Sequence, residues 1–94
     1  MIRSYGDKKT ERFARGEIVP QFEPFRRQAE KRLRILDAAV TLKDLRQLPS
    51  NRLETLKGKR QGQYSIRINQ QWRICFEWSS NTDDPENVEI VDYH

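Results

Sequence analysis

The chain has 94 residues, of which 35% are hydrophobic and 34% charged, and this predicts a single domain, residues 1–94, with a thin core. One cysteine and one histidine exclude an internal disulfide and a structural zinc site, so we expect no metal and no cofactor, and a reducing, cytoplasmic setting fits. No apolar run is long enough to span a bilayer, and the first residues lack the hydrophobic segment of a signal peptide.

The net charge of +4 is unevenly distributed. All 18 lysines and arginines lie in residues 1–73, together with 8 of the 14 acidic residues, whereas residues 74–94 hold six acidic residues and neither lysine nor arginine. A basic segment of this kind is typical of proteins that bind nucleic acid or an acidic partner protein. For the helical part of the segment we favour the simpler interpretation, a surface that lysine and arginine keep soluble.

Short elements are predicted at the start of the chain. Residues 2–5 alternate apolar and polar side chains and could form an edge strand. Residues 10–15 could form one helical turn with Phe13 as its anchor and Gly16 at its end.

Two helices are predicted next. Apolar residues recur at helical spacing over residues 24–39, with Pro24 in the first turn, and they are Phe25, Ala29, Leu33, Leu36 and Val40. Thr41 can cap a second, shorter helix with Leu42, Leu45 and Leu48 on one side. We expect the two helices to form a hairpin that lies on a sheet.

The strongest strand signal lies in residues 64–68 and 72–78, where large apolar residues occupy every second position. An antiparallel hairpin that aligns the apolar faces places Arg67 directly opposite Arg73. Like charges in this position are destabilising, so the two arginines either hold an anion between them or splay into water, and the sequence favours neither. A last strand is predicted over residues 88–91, after a turn at residues 81–85.

Several side chains in this half could carry acid–base and electrostatic chemistry. Positive charge comes from a glycine-bounded loop, residues 57–62, and from the polar strand face, in the form of Lys57, Lys59, Arg60, Arg67 and Arg73. Glu54, Tyr93 and His94 can take or donate a proton. Such a set suits metal-free RNA cleavage, in which a base activates the 2′-hydroxyl, cations stabilise the phosphorane and an acid protonates the leaving oxygen. A solvated strand face beside a frayed C-terminus would have the same composition.

Four ordered strings also resemble a known family. They are Asn51-Arg52-Leu53-Glu54 with Leu56-Lys57-Gly58, then Gly62 to Asn69, then Gln71 to Phe76, and finally Val88 to His94. Together they resemble the HigB/GraT group of toxins in the RelE superfamily. The resemblance implies a compact α+β fold in which N-terminal helices pack on a twisted, mainly antiparallel sheet.

The resemblance also implies a function, that of a type II toxin: a metal-independent endoribonuclease that cleaves mRNA on the ribosome and inhibits translation. A HigA-type helix-turn-helix antitoxin would neutralise it, and operator DNA would be contacted only through the toxin–antitoxin complex. The implied catalytic residues are Glu54, Lys57, Arg73, Asp92, Tyr93 and His94, and we expect Lys59, Arg60 and Arg67 to contact RNA. Glu54 is a departure, because some members have a histidine there.

Two other functions use the same basic face. One is a non-catalytic module that binds ribosomal RNA and blocks translation or ribosome assembly, and the other is a subunit that tunes its antitoxin's DNA binding. Individual residues also have simpler roles. We expect Cys75 to be a small buried strand residue rather than a nucleophile, and Trp72 and Trp78 to be core residues rather than base-stacking platforms.

Overall fold

The structure is a computed structural model that describes residues 1–93; His94, and with it the catalytic role expected there, lies outside the described residues. Three α-helices precede a four-stranded sheet. The helices are α1 (Lys8–Ala14), α2 (Arg26–Ala38) and α3 (Leu42–Arg46), and the strands are β1 (Glu54–Thr55), β2 (Gln63–Arg67), β3 (Trp72–Ser79) and β4 (Asp84–Asp92). Short 3₁₀ helices cover Pro20–Phe25, Pro49–Asn51 and Gly58–Arg60.

Helix α1 confirms the predicted helical turn and begins slightly earlier. The side chain of Asp7 accepts a hydrogen bond from the Thr10 N–H and caps the first turn. Phe13 is buried, and Gly16 follows the helix with φ +93°, a conformation that side chains beyond glycine rarely adopt. Thr10 is also buried, and its hydroxyl accepts the Ile90 N–H at 2.9 Å, which joins α1 to β4.

Helix α2 buries Ala29, Leu33 and Leu36 as the periodicity predicts. The preceding 3₁₀ helix contains Pro24, so the α-helical part begins at Arg26. The prediction that Val40 continues the buried stripe is wrong: its side chain is 69% exposed, because the helix ends at Ala38.

Helix α3 confirms the predicted cap. The Thr41 side chain accepts from the Asp44 N–H while the Asp44 carboxylate accepts from the Thr41 N–H, which makes a capping box. Leu45 is buried against the core, but Leu48 lies beyond the helix and is partly exposed.

The sheet is antiparallel throughout, with strand order β1-β2-β3-β4. The predicted hairpin register is confirmed. The observed pairs are Tyr64 with Phe76, Ile66 with Ile74 and Arg67 with Arg73, and the Ile68 N–H donates to the Trp72 carbonyl. A register shift between Cys75 and Glu77 marks a bulge against β4.

Strand β4 is longer than the predicted residues 88–91, and it includes Pro85, which is tolerated because β4 lies at the edge of the sheet. The predicted edge strand at residues 2–5 is reduced to a single parallel bridge between Tyr5 and Val88. Around it, Arg3 N–H donates to the Pro85 carbonyl and Gly6 N–H to the Val88 carbonyl. The two ends of the chain therefore meet along this edge.

The main core lies between the helices and one face of the sheet. Phe22 and Phe25 pack against Trp72 with ring centroids 5.7 and 4.9 Å apart, and Phe22 also contacts Phe13. Trp72 and Trp78 are half-buried against this cluster, which confirms their predicted core role. Within residues 1–93, no helix is long and apolar enough to cross a membrane.

Candidate functional site

The second face of the sheet is only partly open to solvent, although strand alternation predicted a wet face. Ser65 and Cys75 are fully buried, and Arg73 is 8% exposed. The register places Ser65 beside Cys75 and Cys75 beside Glu89, so these residues form one row across the sheet. Arg60, in the loop that follows β1, contacts this row at Glu89.

Arg73 points inward. Its Nε donates to the Ser65 hydroxyl at 2.7 Å and its Nη2 to the Arg52 carbonyl at 2.6 Å. Its Nη1 lies 3.8 Å from the Glu54 carboxylate. Arg67 instead donates from Nε to the Asn69 carbonyl. The alternative in which Arg73 splays into water is wrong, because its side chain is buried. The alternative in which Arg67 and Arg73 hold an anion between them stays a prediction.

Arg52 provides its carbonyl from a left-handed backbone conformation, with φ +45°. It terminates the 3₁₀ helix Pro49–Asn51, and such a conformation costs on the order of 1–3 kcal/mol in a residue other than glycine. The charge-assisted bond from Arg73 offsets part of that cost. Asn51, which is fully buried, anchors the segment by donating to the Leu45 carbonyl and accepting from Arg32.

Tyr93 lies over Arg73, with 5.9 Å between the phenol centroid and the guanidinium carbon. Its N–H donates to the Gln71 carbonyl at 2.7 Å, which extends the pairing of β4 beyond Asp92. The Asp92 carboxylate accepts from the Gln71 amide at 2.9 Å. Successive strand residues point to opposite faces, and Asp92 is paired with Trp72 of the core face. By this alternation the Asp92 side chain is directed to the face of Trp72 and that of Tyr93 to the face of Arg73.

Arg60 is already paired. Its Nη1 donates to Glu89 and to Gln63, each at 3.0 Å, and the hydrogen bond to Glu89 raises the pKa of Arg60. The Gly6 backbone also packs closely against the Glu89 side chain, since a Cβ at Gly6 would lie 2.5 Å from the Glu89 Cγ. Arg60 thus links the loop to the sheet, and the RNA contact expected for it stays a prediction.

Cys75 is the small buried strand residue that the sequence predicted. Burial raises the pKa of its thiol. A thiol kept protonated is a poor nucleophile, so this residue contributes packing.

Lys57 and Lys59 are exposed, and within residues 1–93 neither side chain has a hydrogen bond or an ion pair. Arg67 lies apart from them, in a cleft of about 490 Å³ that Arg32 and Arg52 also line.

Three of the expected catalytic residues therefore meet at one end of the sheet: Glu54 from β1, Arg73 from β3 and Tyr93 after β4. Together they offer a proton acceptor, a cation and a phenol. No group of three or more potential metal ligands occurs among the residues described. The sequence interpretation missed Ser65, Arg52, Arg32 and Glu89. Glu89 could have been found, because the predicted strand already placed it on the polar face.

Comparisons with known proteins show the family and the fold to which the chain belongs. Residues 3–94 match the model of a family described as the RelE-like toxin of the type II toxin–antitoxin system HigB. The chain belongs to the HigB-like toxin family. Since the match covers nearly all of the chain, it confirms the resemblance seen in the sequence.

Two curated relatives match part of the chain. Toxin HigB-1 of Vibrio cholerae is 50% identical over 48 residues, which is 51% of this chain and 50% of that protein. An uncharacterized protein of Haemophilus influenzae is 37% identical over 51 residues, 54% of this chain and 50% of its own. The chain thus spans about half the length of the curated relatives it matches.

Among solved structures, a chain of the YoeB-YefM complex from Staphylococcus aureus superimposes with a TM-score of 0.53 at 19% identity, over 100% of this chain and 98% of that one. This likeness confirms the predicted α+β fold of helices on an antiparallel sheet.

Proposed function

We propose that this HigB-like protein is a type II toxin that cleaves mRNA bound to the ribosome. The observation that carries the proposal is the meeting of Glu54, Arg73 and Tyr93, which join a carboxylate, a buried cation and a phenol at one end of the sheet. Family membership supports the same function.

The proposed chemistry uses only groups of this chain. The Glu54 carboxylate, which is 52% exposed, accepts the proton of the 2′-hydroxyl as that oxygen attacks the adjacent phosphorus. A 2′,3′-cyclic phosphate forms and the bond to the 5′-oxygen breaks, with Tyr93 donating the proton to the leaving oxygen. Electrostatic stabilisation of the phosphorane comes from Arg73.

Arg73 retains a donor for this role. Its Nε and Nη2 are engaged by Ser65 and Arg52, but Nη1 is 3.8 Å from Glu54, beyond hydrogen-bonding distance. We place a phosphate oxygen between Arg73 and Lys57, where a fixed guanidinium and an exposed ammonium would both stabilise its negative charge. The fixed partner costs no reorganisation at the moment of reaction.

Asp92 and His94 have different places in the proposal. Asp92 acts as a positioning residue, because its bond to the Gln71 amide and the Tyr93 N–H bond to the Gln71 carbonyl hold the same strand end. His94, which lies outside the described residues, is proposed as a second acid or a phosphate clamp, on the resemblance alone.

The partners of the protein are also proposed on the resemblance to the toxin family. A HigA-type helix-turn-helix antitoxin would neutralise the toxin in the cytoplasm, and operator DNA would be bound only through that complex. Co-expression with the product of a neighbouring small helix-turn-helix reading frame tests this: the two should co-purify, and the toxin alone should not shift operator DNA.

The decisive experiment is controlled induction followed by mapping of mRNA 5′ ends. New ends should arise within translated frames as growth stops, while the purified protein should cut naked RNA poorly. Intact transcripts during growth arrest would contradict cleavage and favour the non-catalytic blocking of ribosomes. Tyr93→Phe at matched expression is the control for any background nuclease.

A further inference from the structure

Beside the proposed active site is a cleft in which three arginines from separate segments converge. Arg32 comes from α2, Arg52 from the end of the 3₁₀ helix Pro49–Asn51, and Arg67 from the end of β2. No aspartate or glutamate lines the cleft. Its volume of about 490 Å³ is within the range of protein ligand pockets.

The arginines are held by neutral groups, so their charge is not cancelled. Arg32 Nη1 donates to Asn51 Oδ1 at 2.8 Å and to the Ser50 hydroxyl at 3.3 Å. Arg67 uses only Nε, toward the Asn69 carbonyl at 3.1 Å. The Arg52 side chain has no hydrogen bond or ion pair within residues 1–93. Partial burial lowers the pKa of the Arg32 guanidinium, and no carboxylate among the described residues offsets this effect.

Arginines whose positive charge is not balanced by a carboxylate are expected to bind an external anion. Two facts favour a nucleic-acid backbone over an acidic peptide. The rest of the lining is amide and hydroxyl, from Gln28, Ser50, Asn69 and Gln70, which suits phosphate and sugar oxygens. Ile68 is the one apolar lining residue, whereas a protein interface requires apolar anchors at its centre.

The cleft is also continuous with the proposed active site. Arg52 contributes its side chain to the cleft and its carbonyl to Arg73. Arg67 is the residue directly opposite Arg73 in the hairpin. A chain of phosphates that passes Arg73 can therefore continue into the cleft.

We propose that the cleft formed by Arg32, Arg52 and Arg67 binds backbone phosphates of an RNA strand next to the one cleaved at Glu54, Arg73 and Tyr93. This inference rests on the proposed function for the identity of the strand. In this proposal the cleft binds the RNA strand and sets its position relative to the active site, and it takes part in no chemical step.

The test is binding of a fluorescein-labelled 2′-O-methyl uridine octanucleotide to the purified protein, measured by anisotropy at several salt concentrations. The probe lacks the 2′-hydroxyl nucleophile, so binding is read independently of cleavage. Arg52→Gln and Arg67→Gln should each weaken binding roughly 3- to 10-fold and reduce the salt slope by about 0.7. Arg32→Gln should weaken binding in the same way. If loss of the Arg32–Asn51 bond perturbs folding, Arg52→Gln still tests the cleft, because the Arg52 side chain makes no such bond.

Lys31→Gln is the matched control, because it removes the same charge from the neighbouring, exposed position of α2 outside the cleft and should leave the slope unchanged. Equal effects of Lys31→Gln and Arg52→Gln would overturn the assignment. So would an octaglutamate peptide whose binding depends on the three arginines while RNA binding does not. Transcripts left intact in cells by a protein that binds the probe through the cleft would contradict the nuclease instead.

Discussion

The Arg73 guanidinium and the Arg52 carbonyl oxygen, 21 residues apart in sequence, are joined by a hydrogen bond of 2.6 Å. This contact fixes a buried cation and a strained backbone turn to each other. Arg73 therefore has two roles, one in the fold and one in the proposed chemistry. The roles can be separated by comparing it with Arg67, its neighbour across the hairpin.

Replacing Arg73 with glutamine should destabilise the protein by about 2–3 kcal/mol, because Ser65 and the Arg52 carbonyl lose a charged donor in a buried setting. Arg67→Gln should change the free energy of unfolding by less than about 0.5 kcal/mol, since its guanidinium makes one bond to an accessible carbonyl. Urea denaturation of both variants measures the difference. Equal stabilities would mean that Arg73 is not a structural residue.

Tyr93→Phe should leave stability unchanged, because the side chain is 39% exposed and its ring still lies over Arg73. If the phenol protonates the leaving oxygen, cleavage should fall roughly 100-fold or more. The measurement is the frequency of new mRNA 5′ ends at matched protein levels. Tyr64→Phe removes a hydroxyl outside the cluster and should retain full activity; comparable losses in both variants would argue against a specific role for Tyr93.

Glu54→Gln removes the proposed base while preserving the shape of the side chain. Its ion pair with Arg73 is 3.8 Å long and half exposed, so the stability change should be below about 1 kcal/mol. Cleavage should nevertheless fall strongly. Glu86→Gln, a change of equal charge on β4, is the control. Undiminished cleavage by Glu54→Gln would shift the proton acceptor to another group.

The Arg60–Glu89 pair should behave as a unit. Single substitutions to glutamine and the double substitution should give a coupling energy of about 0.5–1 kcal/mol in a double-mutant cycle, since both side chains are partly exposed. RNA affinity of Arg60→Gln should keep the salt slope of the unmodified protein. A slope lowered by about 0.7 would show instead that Arg60 contacts phosphate.

Asp44 makes stability depend on pH at acidic values. The N–H groups of Val40 and Thr41 lower the pKa of its carboxyl below the usual value of 3.8. A lowered folded-state pKa contributes stability above pH 3.8, and this contribution is lost as pH falls through the folded-state pKa. The stability difference between the unmodified protein and Asp44→Asn should therefore shrink in melts below pH 3.8. A difference independent of pH would contradict the assignment.

Periodicity predicted much of this fold because it reports burial directly. The hairpin register followed from matching apolar faces, and α2 followed from its helical spacing. The ends of elements were less predictable: Val40 is apolar but lies past the last helical turn, and Pro85 enters β4 only because that strand is at an edge. Such outcomes depend on neighbours that are distant in sequence.

The site was predictable in its residue types but not in its arrangement. Arg73 and Arg60 are both basic, yet one is buried on neutral acceptors and the other is paired with Glu89. Their partners lie in other segments, so composition could not distinguish the two. The left-handed conformation of Arg52 could not be predicted from its residue type, because residues other than glycine seldom adopt that conformation.

The bond from the Ile90 N–H to the Thr10 hydroxyl has a consequence for the proposed site. It joins residues 80 positions apart and ties α1 to β4. Because β4 leads directly into Tyr93, the first helix helps to fix a side chain at the other end of the sequence. A change that loosens α1 is therefore expected to disturb the proposed site, although α1 contributes none of its residues.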